Sequence, residues 1–159
     1  MTRTGIGFDA HAFGGEDARP LVLGGVTIPG HAGLAGHSDA DVLSHAIADA
    51  LLGAAGLGDL GSRFPPDDRW KNASSLGILE ETVRLVREAG FRVVHVDASV
   101  VAERPRLAPH RDPMRKNVAA ALSVELDDVS VKATTTDGLG FTGRGDGIAA
   151  LAVATVERA

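Results

Sequence analysis

Asp9 and His11 stand two residues apart in RTGIGFDAHAF, a stretch whose alternation reads as a β-strand. A spacing of two on a strand sends both side chains out of one face. His45 falls in a helical stretch, on the side that also carries Asp41 and Asp49. One carboxylate and two imidazoles make three protein ligands with a fourth position open, the pattern of a catalytic rather than a structural zinc site. Spacing alone equally admits ordinary surface or hydrogen-bonded polar residues at all three positions. Asp41 and Asp49 flank His45 by one turn each; either could orient its ring as an acceptor, or belong to a solvated acidic face.

His37 and Ser38 precede the same helix, where unpaired N–H groups and the positive dipole end attract a phosphate. Ser38 also reads as a plain N-cap, close to a capping box with Asp41. Lys132-Ala133-Thr134-Thr135-Thr136-Asp137 closes a strand with an ammonium, three hydroxyls and a carboxylate. That set suits phosphate oxygens and a hard divalent cation, yet threonine is also an ordinary strand residue and Asp an ordinary turn residue. Gly138, Gly140 and Gly143 spell a formal GxGxxG, but the 16 residues after Gly143 leave no room for the strand and ribose-binding acid of a dinucleotide site. They read as a tight turn that brings backbone close to a ligand or a neighbouring subunit. The Arg144-Gly145-Asp146 tripeptide is a chance match to an adhesion motif.

The elements that must position these residues follow from periodicity. The first strand carries Ile6, Phe8, Ala10 and Ala12 on one face and Gly7, Asp9, His11 and Phe13 on the other. Two short strands flank Gly24-Gly25. A helix from about Asp39 to Ala55 has Leu43, Ile47, Leu51 and Ala54 as its apolar stripe. Residues 57–72, rich in Gly, Pro and Asp and holding the only Trp, read as a long loop. A second helix, about Ser75–Ala89, stops at Gly90. In FRVVHVDASVVA, Val94, Val96, Ala98 and Val100 alternate with His95, Asp97 and Ser99. A third helix from near Pro109 lines up Met114, Val118 and Leu122. Strands VSVKATT and GIAALAVATVE end the chain. The order β-β-β-α-α-β-α-β-β predicts an α+β fold, a mixed β-sheet with helices packed on one face.

The 159 residues fit a single domain, residues 1–159, with a 44% hydrophobic and 23% charged composition that excludes wholesale disorder. With no cysteine, disulfides, thiolate metal sites and cysteine nucleophiles are excluded, so any metal is held by His, Asp or Glu. A net charge of −5 argues against a nucleic-acid surface. The apolar run near 147–156 is too short to span a bilayer, and MTRTGIGFDAH has no signal-peptide or transit-peptide character. A soluble, cytoplasmic protein is expected.

In order and spacing, FDAHAFG, AGHSDADVLSHAIADALLGAAGLGDLG, RFPPDD and KATTTDGLGFTGRGDGIA resemble the 2-C-methyl-D-erythritol 2,4-cyclodiphosphate synthases of non-mevalonate isoprenoid synthesis, from about Gly5 to the C-terminus. The resemblance implies a phosphorus–oxygen lyase. It would cyclise 4-diphosphocytidyl-2-C-methyl-D-erythritol 2-phosphate and release CMP, as a homotrimer with active sites between subunits. Zn²⁺ and a second divalent cation, Mg²⁺ or Mn²⁺, are implied as cofactors. Asp9, His11 and His45 match the zinc ligands, and Ala10 between them belongs to the substrate-binding stretch. His37 and Thr135 match the transition-state stabilisers, and Ser38 a phosphate contact. Asp59, Leu60 and Gly61 match the segment for sugar hydroxyls and diphosphate. Phe64, Pro65, Pro66, Asp67 and Asp68 match the loop over methylerythritol. Ala102, Glu103, Arg104, Pro105, Arg106, Leu107 and Ala108 match the cytosine pocket. Thr134, Thr135, Thr136 and Asp137 would lie beside the α-phosphate, with the Asp137 carboxylate on the second metal. Phe141 and Arg144 match the trimer axis, where an isoprenoid diphosphate can bind.

Three positions depart from the family pattern. Pro66 stands where an Asp is expected, leaving Asp67 and Asp68 for loop contacts. Asp137 replaces a frequent Glu and is one methylene shorter. Arg106 replaces a frequent Lys, with different donor geometry. The implied chemistry is attack of the 2-phosphate on the β-phosphorus, which needs positioning and charge neutralisation rather than a strong base. A zinc phosphohydrolase and a non-catalytic trimer binding isoprenoid diphosphates are the alternatives.

Overall fold

The computed structural model describes residues 1–14 and 19–159. A four-stranded sheet forms the frame: β1 (Thr2–Ala12), β6 (Gly147–Arg158), β4 (Phe91–Val101) and β5 (Val129–Thr134), in that spatial order. β1 and β4 each pair antiparallel with β6, while β4 and β5 run parallel, so the sheet is mixed as the element order predicts. Helices α1 (Val42–Ala55), α3 (Ser75–Glu88) and α4 (Arg111–Leu122) pack together over one face of it. A separate hairpin, β2 (Pro20–Leu23) and β3 (Val26–Ala32), turns on Gly24 and Gly25, both with positive φ as a two-residue hairpin turn requires. No helix of the described residues is long and apolar enough to cross a membrane.

β1 turns its glycine face, not its apolar face, toward the helices. A Cβ on Gly5 would lie 2.1 Å from the Ala50 carbonyl oxygen, and one on Gly7 1.9 Å from that of Ala46. Helix α1 therefore rests on β1 backbone to backbone, through Ala46 and Ala50 on its near side. The adjoining flank buries Leu43, Ile47 and Leu51, the predicted stripe, and the helix is buried almost all round. The opposite sheet face is left open: Ile6 and Phe8 are 70% and 57% exposed, beside Val153 and Leu151 across the ladder.

Two expectations are corrected in detail. Helix α1 begins at Val42, because Asp41 and not Ser38 is its N-cap, accepting from Ser44 N. Asp41 is fully buried and also accepts from Gly24 N and Gly25 N at 2.9 and 2.8 Å, locking the hairpin turn to the helix start. In β4 a bulge at Val94 shifts the alternation, so Phe91 and Val93 join Val96, Ala98 and Val100 on the inner face, while Val94 is only half-buried.

Gly7→Ala tests the helix–strand contact. The added methyl meets helix backbone that cannot rotate away, so unfolding stability in urea should fall by about 3 kcal/mol. An unchanged midpoint would contradict the packing described.

Candidate metal centre

Asp9 and His11 leave β1 on its helix face, one and two turns of the pleat beyond Gly7, and His45 meets them from α1. Asp9 Oδ2 lies 2.9 Å from His11 Nε2 and 3.0 Å from His45 Nδ1, and the three donor atoms fall within 4.8 Å of one another. The hydrogen bonds on the far side of each ring set which nitrogen faces inward. His11 Nδ1 donates to the Ala35 carbonyl at 2.7 Å, leaving a lone pair on Nε2. His45 Nε2 contacts the hydroxyls of Ser75 and Ser38 at 2.8 and 3.0 Å, leaving Nδ1 toward Asp9.

The same three side chains set the electrostatics of the site. Burial alone would raise the Asp9 carboxyl, but the two imidazoles beside it outweigh burial and hold it down at about 2. For His11, burial acts to lower the pKa, and the Asp9 carboxylate reverses the sign and holds it above the usual value. His11 Nε2 is close to Asp9 without hydrogen-bond direction; it and Trp70 Nε1 are the buried side-chain polar atoms with no hydrogen-bond partner among the described residues. Both line one cavity of about 200 Å³. An inward-facing lone pair, an adjacent carboxylate and a second imidazole are the donor set a divalent zinc-like cation takes, so these residues fit the metal.

The same cavity is walled by His37, Ser38, Leu60, Phe64 and Pro66, all expected site residues, and by Trp70 and Ile78, which the sequence reading did not place there. Trp70 stacks edge-on against Phe64 at 4.8 Å, and being the only Trp was its one visible signal. The expected long loop contains a helical turn, α2 (Leu60–Arg63), because Asp59 and Ser62 form a capping box. The Ser62 backbone N–H holds the exposed Asp59 carboxyl below its usual range. Gly61 is exposed in that turn. Pro65 and Asp68 lie in the following segment; the Asp67 carboxylate turns to Arg69 N, and its carbonyl accepts from His37 Nε2 at 2.6 Å. Ala10 points to the outer face with Ile6 and Phe8.

Neither acidic neighbour on α1 orients His45. Asp41 is the buried cap, and burial, followed by the Asp39 charge, raises its carboxyl. Asp49 accepts from Leu60 N. Ser75 and Ser38 hold the ring instead, and nothing in the helical spacing announces a serine 30 residues on. At the helix start the Asp41 carboxylate, and not the Ser38 hydroxyl, takes the first-turn amide of Ser44.

The remaining expected residues gather at the far side of the sheet. Ala102 N donates to the Thr134 carbonyl, and Glu103 Oε1 accepts from Thr136 N and Gly138 N at 3.1 and 3.2 Å, so the 102–108 and 134–137 segments are tied together. Thr135 Oγ1 donates to Asp137 Oδ1 at 3.2 Å, and Asp137 has a positive φ. Thr136 is committed to the turn by its bond to the Leu139 carbonyl. Lys132 pairs with Asp97 rather than reaching the turn. Phe141 is exposed, and Arg144 pairs with Asp146. In the ladder, Asp9 lies in one row with Ala150, Val100 and Ala133. Three strand spacings, about 14 Å, therefore separate the metal half from the Thr134–Asp137 half within one chain.

The YgbB family model matches residues 2–157. A 2-C-methyl-D-erythritol 2,4-cyclodiphosphate synthase of Moorella thermoacetica is 60% identical over 152 residues, covering 95% of this chain and 92% of the relative. That of Salinibacter ruber is 56% identical over 158 residues, covering 99% of each. Among solved structures, the Plasmodium falciparum IspF complex with CDP superposes with a TM-score of 0.85 at 30% identity, over 99% of this chain and 96% of that one. The bifunctional IspDF of Campylobacter jejuni gives 0.94 at 44% identity, over all of this chain and 43% of that one. A match along nearly the whole sequence, carried by a common fold, makes this chain a member of the YgbB family.

Proposed function

We propose that the chain, acting as one domain over residues 1–159, is a cytoplasmic cyclodiphosphate synthase. It converts 4-diphosphocytidyl-2-C-methyl-D-erythritol 2-phosphate to 2-C-methyl-D-erythritol 2,4-cyclodiphosphate and CMP. The observation that carries this reading is the Asp9, His11 and His45 donor set, its His11 lone pair unpartnered, opening on a cavity walled by His37 and Ser38. Relatives bearing the synthase name, and a neighbour solved with CDP, support the substrate class.

An oxygen of the 2-phosphate attacks the β-phosphorus, and the bond from that phosphorus to the bridging oxygen breaks, so CMP leaves with the electron pair. Asp9, His11 and His45 would hold Zn²⁺, and Asp137 a second cation, Mg²⁺ or Mn²⁺. Bound there, the cations supply positive charge to phosphate oxygens. His37 and Thr135 donate hydrogen bonds to the charge building at the β-phosphorus. His37 gives up its bond to the Asp67 carbonyl as the substrate takes its N–H. Ser38 contacts a phosphate oxygen, Asp59, Leu60 and Gly61 the sugar and diphosphate, and residues 64–68 cover the methylerythritol. The 102–108 segment receives the cytosine, held against the turn through Glu103.

The two halves lie at opposite edges of the sheet, so we place each complete site between chains of a homotrimer. The exposed apolar patch of Ile6, Phe8, Leu151 and Val153 supports such packing. Phe141 and Arg144 would then face the axis and accept an isoprenoid diphosphate.

Turnover followed by ³¹P NMR should give the cyclic diphosphate and CMP alone. Chelator should abolish it and Zn²⁺ restore it, and His45→Ala should lose at least about 100-fold. A linear hydrolysis product, or full activity without metal, would refute the reading.

Site sharing is tested by unfolding His45→Ala and Asp137→Ala chains together and refolding them at equal amounts. Random assembly pairs an intact metal half with an intact neighbouring turn with probability one half times one half, so about a quarter of wild-type activity should return. Trimers with no activity above the parents would show that each site belongs to one chain.

A further inference from the structure

His45 is turned toward the metal position by residues that the proposed reaction does not use. Ser75, the first residue of α3, is fully buried. Its hydroxyl donates to Asp39 Oδ1, a short contact, while its backbone N–H donates to Asp39 Oδ2 at 3.0 Å. With its proton committed to Asp39, the Ser75 oxygen offers only lone pairs to His45 Nε2, 2.8 Å away. Nε2 must then keep its hydrogen, and Nδ1 is the nitrogen free to become a ligand. Ser38 does not reverse this: a hydroxyl donated from Ser38 to Nε2 would leave the Ser75 and His45 lone pairs facing each other at 2.8 Å. Asp39 is itself held by its N–H on the Ala73 carbonyl and by the Asp41 N–H on Oδ1. The start of α3 and the approach to α1 are thereby joined at the ring.

We infer that Asp39 and Ser75 are positioning residues for the metal centre, a carboxylate–hydroxyl–imidazole chain that dictates which nitrogen of His45 binds the cation. The inference rests on the reading of Asp9, His11 and His45 as a zinc site and extends it to two residues outside the cavity wall.

The test is zinc affinity, measured by competition with a chromophoric chelator, together with NMR of the zinc-loaded, ¹⁵N-histidine-labelled protein. Wild type should bind zinc and show a slowly exchanging His45 Nε2–H. Ser75→Ala should bind zinc about 10–100-fold more weakly and exchange that proton faster. Ser75→Thr, which keeps the hydroxyl, should recover most of the affinity. Asp39→Ala, which removes the acceptor and frees the Ser75 proton to point at Nε2, should weaken binding as Ser75→Ala does. Zinc affinity unchanged in Ser75→Ala or in Asp39→Ala would overturn the inference alone. So would a loss in Ser75→Ala with no change in Nε2–H exchange, since that marks general loosening. A wild-type protein that takes up no zinc would refute the metal reading itself, and this inference with it.

Discussion

Everything in the candidate site hangs on one close contact, the backbone of α1 lying directly on the backbone of β1. Gly5 and Gly7 make it possible, since a Cβ at either position would fall inside the carbonyl of Ala50 or Ala46. At ordinary helix–sheet separation, side chains would fill the gap and His45 would stand too far from β1 to share a cation with Asp9 and His11. The contact costs β1 the side-chain packing that its apolar residues could have given, and those residues face outward instead. Glycine in a strand is weak locally; here the loss is offset by the burial of nearly the whole of α1.

Around that contact the polar residues act as spacers rather than solvated charges. Asp41, with no exposure, gathers the Gly24 and Gly25 amides and the Ser44 amide and hydroxyl, so the carboxylate is almost fully hydrogen-bonded where burial would otherwise penalise it. Arg19 donates to the Gly36 and Ser38 carbonyls and steadies the segment that carries His37. On the far side Glu103 does similar work for the Thr134–Asp137 turn. An acidic chain of net charge −5 has no broad positive field to draw in a diphosphate. Local donors and bound cations would have to supply the attraction, which is why the orientation of single rings and turns matters so much here.

What could be read in the sequence was what depends on local period. Asp9 and His11 share a face because a strand repeats every two residues, and the Leu43, Ile47 and Leu51 stripe follows from a helical repeat. The element order was enough for the mixed sheet and its helical layer. Choices between locally equivalent options were not legible. Ser38 and Asp41 are both good caps, and the choice of Asp41 is made by the hairpin amides of Gly24 and Gly25, which come from another element. The bulge at Val94 lies in an unbroken run of β-formers that carries no mark of it. Alternation also divides β1 into two faces without saying which one meets the helices; glycine sizes decide that only once α1 is placed. The Ser75 and Asp39 contacts and the place of Trp70 in the cavity wall are long-range and left no local trace.

The α1–β1 contact gathers one carboxylate and two imidazoles, those of Asp9, His11 and His45, into a single donor set. X-ray absorption at the zinc edge of the loaded protein reads that set directly. Zinc held by that set should show two imidazole rings in the scattering pattern, with the remaining nearest neighbours oxygen, and one ring in His45→Ala. A spectrum with three imidazoles or with one in the wild-type protein, or a pattern unmoved by His45→Ala, would contradict it.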